Sequence, residues 1–249
     1  MVIPGNYFAA GLEIINVLFM KRSITTLIKS RKYYFAGLLI LLIFGSITVL
    51  FFGNADHGIH TAHGFLLNVF FINYTFMGDA VFMIGLVAVV TFYLKRKKEG
   101  TALFIAFLFT ELSIQVIKNL LNITNGFTLY FEEGQTIFNP VAGFGGINDS
   151  FPSGHTALAF ATVTVIILRL KKSYWQILLL LAAVLLGYSR IYLARNFLPD
   201  ILIAAVLGSL SGIFSVYLVY NRFKITDSAR NLFKSRFQDP LPQNVIQSV

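Results

Sequence analysis

The sequence predicts an all-α fold, a bundle of six transmembrane helices with a polar site at the outer ends of the helices. Of its 249 residues, 56% are hydrophobic and 12% are charged, and the mean hydropathy is +0.73. A soluble domain of this length and composition would expose too much apolar surface to water. Two further observations predict the same fold: six apolar segments, and basic residues that are concentrated on one side of them.

Six segments approach the roughly 20 apolar residues that a helix needs to cross the hydrocarbon core. They are residues 33–53, 77–93, 101–117, 153–168, 174–192 and 197–220, of which the third and fourth are the shortest or most polar. We therefore expect a membrane domain over residues 33–220, an N-terminal interfacial segment over residues 1–32 and a basic cytoplasmic tail over residues 221–249. Residues 1–20 contain Pro4, Asn6 and Glu13, which favours an interfacial helix there over a further span.

The connections between the six segments alternate in charge. Seventeen of the twenty Lys and Arg residues lie before the first segment, between the second and third, between the fourth and fifth, or after the sixth. Cytoplasmic connections are enriched in Lys and Arg, so both termini are predicted to be cytoplasmic. This orientation accounts for the net charge of +9, and nucleic acid is not predicted as a partner. We expect an integral, multi-pass protein of a bacterial inner membrane whose site faces the periplasm or exterior.

Three basic residues fall on the outer side, where cations are rare. They are Lys118, Arg190 and Arg195, at the outer ends of different segments. Each of them alone is explained by a side chain that reaches the outer lipid headgroups. Together, they favour a site where the three side chains converge on one anion.

The fourth segment begins with Phe151-Pro152-Ser153-Gly154-His155. Proline suits a helix start, Ser153 is a natural N-cap, and Gly154 leaves room for an anion at the free backbone N–H groups. A helix N-terminus attracts anions, and His155 in its first turn could donate a proton to a bound group. These residues alone are equally consistent with an ordinary capped helix.

A second polar motif runs from Ser189 to Asp200, between the fifth and sixth segments. The planar guanidinium of Arg190 suits two-point binding of phosphate. Asp200 lies at the outer end of the sixth segment, where an acidic side chain usually pairs with or orients another polar group.

Taken together, these residues resemble the type 2 phosphatidic acid phosphatase family, which shares its active site with the vanadium haloperoxidases. The family pattern is K-x6-R-P, then P-S-G-H, then S-R-x5-H-x3-D. The residues that match it are Lys118 in the first block, Pro152, Ser153, Gly154 and His155 in the second, and Ser189, Arg190 and Asp200 in the third. The resemblance covers residues 33–220 and agrees with six spans and an outer site.

The resemblance implies a role for each matching residue. The phosphate-binding positions correspond to Lys118, Ser153, Gly154 and Arg190. His155 corresponds to the residue that protonates the leaving group, and Asp200 to the acid that orients the nucleophilic histidine.

The chain departs from the family pattern in two places. Asn196 stands where the family has its nucleophilic histidine, and Asn125 and Gly126 stand where it has Arg-Pro. An amide nitrogen cannot attack phosphorus because its lone pair is delocalised, so no phosphoenzyme is expected at Asn196. A deliberate His-to-Asn substitution would explain Asn196 but not Asn125 and Gly126, which favours natural divergence. Arg195, beside Asn196, is a candidate to replace part of the lost positive charge.

His57, His60 and His63 lie three residues apart in the first outer connection. They suggest either a metal site or a substitute catalytic histidine, but a wet interfacial segment explains them better. We expect no metal ion and no cofactor.

Glu111, Gln115 and Lys118 would form one polar stripe on the third segment. A carboxylate there is either functional or, as we favour, a charge partner for Lys118 or a polar contact between helices. Asp79 follows Gly78 and is predicted to cap the second segment. Small residues on the sixth segment predict close packing on a neighbour: Gly208, Ser209, Ser211 and Gly212.

The sequence therefore predicts a membrane-embedded, phosphatase-like protein that binds a phosphorylated lipid headgroup on the outer face, with lost or weak hydrolysis. One alternative is an active phosphatase of phosphatidic acid, phosphatidylglycerophosphate or undecaprenyl diphosphate, in which Asn196 is engineered or bypassed. Another is a structural or lipid-transport subunit that has other membrane proteins as partners.

Overall fold

The computed structural model describes residues 30–52, 64–121, 151–170, 172–193 and 195–238, and within these ranges it contains helices and no strands. The helices are α1 (Lys32–Phe52), α2 (Phe65–Thr75), α3 (Ala80–Ala88), α4 (Lys97–Leu121), α5 (Gly154–Arg169), α6 (Ser173–Tyr192) and α7 (Leu198–Gln238). A 3₁₀ turn (Phe76–Gly78) joins α2 to α3, and a π-helical turn (Val89–Tyr93) extends α3. The predicted all-α class is confirmed.

Each of the six predicted segments overlaps one of these helices. In the described part of the chain, four helices are long and apolar enough to cross a membrane, and a bent pair, Phe65–Gly78 with Ala80–Tyr93, raises the number to five. Helix α5 is apolar but has only 16 residues. A helix surrounded by protein need not span the full lipid thickness, and the six-span count stays a prediction.

Helix α5 lies at the centre of the bundle, where twelve of its 16 residues are buried. It packs most closely on α7, because Gly208 and Gly212 bring the two backbones together. A Cβ added at Gly208 would meet the carbonyl oxygen of Ala157, and one added at Gly212 would lie 2.8 Å from that of Ala161. The predicted close packing of these small residues is confirmed, and it holds α5 in place along its length.

The break between α2 and α3 was only partly expected. The two helical stretches meet at 59°, and Asp79 caps α3 by accepting a hydrogen bond on Oδ1 from the Val81 N–H (2.9 Å). The predicted cap is therefore confirmed. Helix α2 was not predicted, because its 11 residues are too few for a span. It packs on α6, where the Tyr192 hydroxyl donates to Asn68 Oδ1 (2.8 Å).

At the end of the bundle that carries the basic connections, charged side chains connect neighbouring helices. Arg31 donates from Nε to the Ile167 carbonyl (2.8 Å), at the C-terminus of α5, where a cation suits the helix dipole. Arg169 lies 3.6 Å from Glu99, at the start of α4, and stacks over the Tyr220 ring of α7 (4.1 Å). Basic residues from two connections thus meet at one end of the bundle, as the charge pattern predicts.

Helix α7 extends further than expected. The predicted span ends at residue 220, but the backbone stays helical without a break to Gln238. Residues 221–238, predicted to be an amphipathic or disordered tail, are therefore helical.

Candidate functional site

The predicted site residues lie at the other end of the bundle. Helix α5 starts there and α6 ends there, and the connection from α6 into α7 and the break between α2 and α3 lie beside them. The residues of the two motifs are brought together by these four pieces of chain.

Ser153 occupies the N-cap position of α5, as predicted, but its hydroxyl does not cap the helix. Instead, Ser153 Oγ donates to Oδ1 of Asn196 (3.1 Å) and lies 3.0 Å from the Thr156 hydroxyl. Ser153 is only 2% exposed, so its hydroxyl is buried in the interior of the site. The backbone N–H groups of the first turn are left available for another acceptor.

Arg190 reaches the same acceptor from α6. Its Nε donates to Asn196 Oδ1 (3.1 Å), and its Nη1 lies 3.4 Å from the hydroxyl of Thr75, at the end of α2. The carboxamide oxygen of Asn196 thus accepts hydrogen bonds from both Ser153 and Arg190. The two donors converge on one point, as they would on a single phosphate oxygen.

Asp200 is fully buried in the first turn of α7. Its Oδ2 accepts a hydrogen bond from the backbone N–H of Phe197 (2.9 Å), three residues earlier. This is the contact that an acidic side chain makes when it reaches back to the start of its own helix. Asp200 therefore fixes the turn that carries Asn196 into the site.

His155 lies in the first turn of α5, with its side chain one-third exposed. Its Nε2 is 3.9 Å from Oδ2 of Asp79, whose side chain is exposed to a similar extent. Gly78 packs directly on this residue, since an added Cβ would lie 2.8 Å from the His155 carbonyl oxygen and 3.0 Å from its Cβ.

Helix α4 brings Lys118 and Glu111 to the side of the site. Ile114 packs with Ala157 and Ala204 near the start of α5, and Lys118 lies one turn further along α4 on the same face. The charge of Glu111 acts on both Lys118 and Asp79. Glu111 is thus a charge neighbour of Lys118, as the sequence suggests, and it also lies close enough to Asp79 for the two negative charges to interact.

Two other arrangements complete the site. An added Cβ at Gly154 would meet only the tip of Ile114, at 3.9 Å, so the start of α5 is uncrowded. Arg195 donates its backbone N–H to the Arg190 carbonyl (2.9 Å), and its charge acts on Arg190 and His155. Partial burial lowers the pKa of the Arg195 guanidinium, but an arginine keeps its charge at neutral pH.

Sequence reasoning missed two contributions of the break between α2 and α3. It placed Thr75 in an outer connection and gave Asp79 only a capping role. The Gly78-Asp79 pair predicts a helix start, but no local pattern predicts its contact with His155.

Some predicted positions lie outside the described residues. They are Asn125, Gly126, His57, His60 and His63. In the described part of the chain, no group of three His, Asp or Glu side chains is arranged to hold a metal ion.

Similar proteins share this architecture. The chain is 28% identical over 202 residues to an undecaprenyl-diphosphatase of Sulfolobus acidocaldarius, a match that covers 76% of this chain and 92% of that protein. The crystal structure of LpxE from Aquifex aeolicus superposes with a TM-score of 0.50 at 26% identity, over 66% of this chain and 93% of LpxE. A transmembrane PAP2 type phosphatidylglycerolphosphate phosphatase from Bacillus subtilis shares the fold, with a TM-score of 0.53 at 24% identity, over 78% of this chain and 96% of that one.

The chain also matches a whole family. The sequence profile of the PAP2 superfamily matches residues 99–224, which contain α4 to α6 and the membrane part of α7, and with them both motifs. This integral membrane protein belongs to the PAP2 superfamily.

Proposed function

We propose that this protein binds a phosphorylated lipid headgroup on the outer face of the membrane and hydrolyses it weakly or not at all. The observation that carries the proposal is the pair of hydrogen bonds that Ser153 and Arg190 donate to Asn196 Oδ1. A neutral carboxamide oxygen occupies a point that an anionic phosphate oxygen would fill more strongly, since charged acceptors form stronger hydrogen bonds.

The charges around this point support binding of an anion. Arg190 and Arg195 are close enough for their charges to interact, and the uncrowded start of α5 adds backbone donors. Lys118 lies on the neighbouring face of α4. The phosphate would thus be held by Ser153, Gly154, Arg190 and Lys118, as the family resemblance implies.

Weak hydrolysis follows from the chemistry of position 196. Asn196 is 6% exposed, and its oxygen is already hydrogen-bonded to two donors. A carboxamide cannot form the phosphoenzyme that a histidine forms, and loss of a covalent nucleophile costs on the order of 10⁴–10⁶ in rate by analogy with catalytic-triad knockouts. Asp200, turned to the Phe197 N–H, would keep a structural role in the absence of a histidine to orient.

The class of ligand is a lipid phosphate or diphosphate. The similar undecaprenyl-diphosphatase is named for such a lipid, and a site at the end of an apolar bundle suits a headgroup whose chains stay in the bilayer. The similarity to an undecaprenyl-diphosphatase favours a second candidate function, the slow hydrolysis of a diphosphate. The leaving group of a diphosphate is a phosphate, so its cleavage needs a weaker nucleophile than the cleavage of a phosphate monoester.

The test is to measure binding and hydrolysis separately on the full chain in lipid nanodiscs. Phosphatidic acid, phosphatidylglycerophosphate and undecaprenyl diphosphate serve as ligands, and inorganic phosphate serves as competitor. We expect saturable binding that phosphate displaces, with phosphate release near background. Arg190→Ala should weaken binding at least 10-fold, since a charged hydrogen bond is worth about 1.5–3 kcal/mol.

Arg169→Ala is the matched control, because it removes an arginine from the opposite end of the bundle. It should leave binding unchanged. Binding that neither phosphate nor Arg190→Ala reduces would contradict the proposed site. Rapid release from any of the three lipids would show that the chain is an active phosphatase.

A further inference from the structure

We propose that Asp79, at the break between α2 and α3, is a positioning residue for His155 that faces its imidazole and offsets part of the arginine charge beside it. The idea rests on the proposed function in one respect: it takes His155 as the group that donates a proton to a leaving group.

The Asp79 carboxylate is held in one orientation by the helix that it caps. Oδ1 accepts the Val81 N–H (2.9 Å), which leaves Oδ2 directed at His155 Nε2, 3.9 Å away. One oxygen therefore stabilises the start of α3 while the other faces the imidazole. A carboxylate that is already fixed loses little conformational freedom when the imidazole becomes charged.

The break itself is packed on His155 through the backbone. Gly78 has no room for a Cβ, since one would lie 2.8 Å from the His155 carbonyl oxygen. Thr75, one turn before Asp79, contacts the guanidinium of Arg190. The break thus touches both His155 and Arg190, so it sets the position of Asp79 relative to the site.

The charges that face His155 are unequal in sign. Arg190 from α6 and Arg195 from the connection to α7 carry the same sign of charge as a protonated imidazole, while Asp79 carries the opposite sign. Of the neighbouring charged groups on other elements, Glu111 on α4 interacts with Lys118 and Asp79, and Asp200 on α7 accepts a hydrogen bond from the Phe197 N–H. Within the described residues, Asp79 is the one carboxylate whose charge acts on His155.

This arrangement has a chemical consequence. A leaving-group acid must carry a proton before the P–O bond breaks, when the proton passes from the imidazole N–H to the departing oxygen, which keeps the bonding electron pair. Protonated histidine has two N–H groups, so one faces Asp79 and the other can serve the leaving group. Asp79 is therefore expected to matter most for leaving groups that need a proton.

The first test is a titration of His155 by NMR. His57, His60 and His63 are replaced by Gln so that His155 is the sole histidine, and the rest of the chain is unchanged. Asp79→Asn keeps a carboxamide oxygen to cap α3 but removes the charge. We expect the His155 titration midpoint to move to lower pH by roughly one unit, the lower end of the effect of a nearby opposite charge. Glu111→Gln removes a carboxylate of α4 and should move the midpoint much less.

The second test uses the Asn196→His background, in which hydrolysis is expected. Asp79→Asn should lower kcat for phosphatidic acid at least 10-fold more than for p-nitrophenyl phosphate, whose leaving group departs without a proton. Asp79→Ala, which also removes the cap, should lower the melting temperature, while Asp79→Asn should not.

Each outcome bears on the proposal. An unmoved His155 midpoint in a folded Asp79→Asn protein, or equal losses on the two substrates, would overturn it. If Asn196→His fails to restore hydrolysis, the proposal that hydrolysis is weak because position 196 has lost its nucleophile is wrong. The NMR titration does not use Asn196→His, so it still decides the role of Asp79 in that case.

Discussion

At the residue scale, the site is defined by what stands at position 196. Asn196 Oδ1 accepts hydrogen bonds from Ser153 and Arg190, so two of the predicted phosphate donors already point to one place. Under the proposed function the missing element is a nucleophile, while His155 lies in the first turn of α5 and Asp200 fixes the turn that carries Asn196. We therefore expect a single substitution to recover part of the chemistry.

Asn196→His should restore measurable hydrolysis of a lipid phosphate, because a histidine at this position can attack phosphorus and lies at the family spacing from Asp200. Phosphate release from phosphatidic acid in nanodiscs measures it. Adding Asn125→Arg should raise the rate further, since a charged hydrogen bond to phosphate contributes roughly 1.5–3 kcal/mol.

Adding His155→Ala to that double variant should abolish the recovered activity, and Arg169→Ala should leave it unchanged. Robust turnover by the unmodified chain would contradict the loss of the nucleophile and would favour a substitute histidine among His57, His60 and His63. No turnover after both reversions, in a folded protein, would mean that the pocket has been remodelled for binding.

At the scale of the elements, close contact between α5 and α7 positions the site. Helix α5 carries Ser153 and His155 at its first turn, and α7 holds it along the face that contains Gly208 and Gly212. Tyr34 of α1 reinforces the same region, with its hydroxyl 3.0 Å from the Ser209 hydroxyl on α7. A substitution that separates α5 from α7 should therefore alter the geometry of the site, although the substituted residue lies inside the bundle.

Gly208→Ala should destabilise the protein by about 1–3 kcal/mol, because the new methyl group would overlap the Ala157 carbonyl of α5. Gly85→Ala is the matched control, since an added Cβ on α3 meets nothing within 4 Å. It should stabilise the helix by about 0.5–1 kcal/mol. Unfolding in detergent, followed by circular dichroism, gives both values, and equal effects of the two substitutions would rule out tight α5–α7 packing.

At the scale of the whole molecule, the two ends of the bundle differ in chemistry. One end holds Arg31 on the C-terminus of α5 and the ion pair of Arg169 with Glu99, and the opposite end holds the Ser153, Arg190 and Asn196 cluster. A bundle with a basic end should insert with that end in the cytoplasm. The phosphate site would then face outward.

Orientation can be tested cleanly because the chain has no cysteine. A single Cys in place of Gly143 should react with a membrane-impermeant thiol reagent in intact cells, and a single Cys in place of Lys97 should react only after the membrane is opened. Both sites label in permeabilised cells if the protein is folded and the thiols are exposed, which serves as the control. The reverse pattern in intact cells would refute the predicted topology.

The sequence alone determines the class of fold, most of the helical segments and the motif residues of the site. These follow from local properties: apolar composition, the distribution of Lys and Arg along the chain, and the spacing of Ser189, Arg190 and Asp200 within one connection. Even the cap at Asp79 follows from the Gly-Asp pair at a helix start. Each is a property of neighbouring residues, so it can be inferred without knowing how the helices pack.

Only the tertiary structure decides which of these residues meet. Ser153 was expected to cap its own helix, but its hydroxyl bonds to Asn196, 43 positions away, and Arg190 contacts Thr75, 115 positions away. Asp79 faces His155 because α2 bends sharply into α3 and Gly78 allows the break to sit on α5. Such contacts depend on how closely whole helices approach one another, and that distance is determined by the packed bundle, not by any short stretch of sequence.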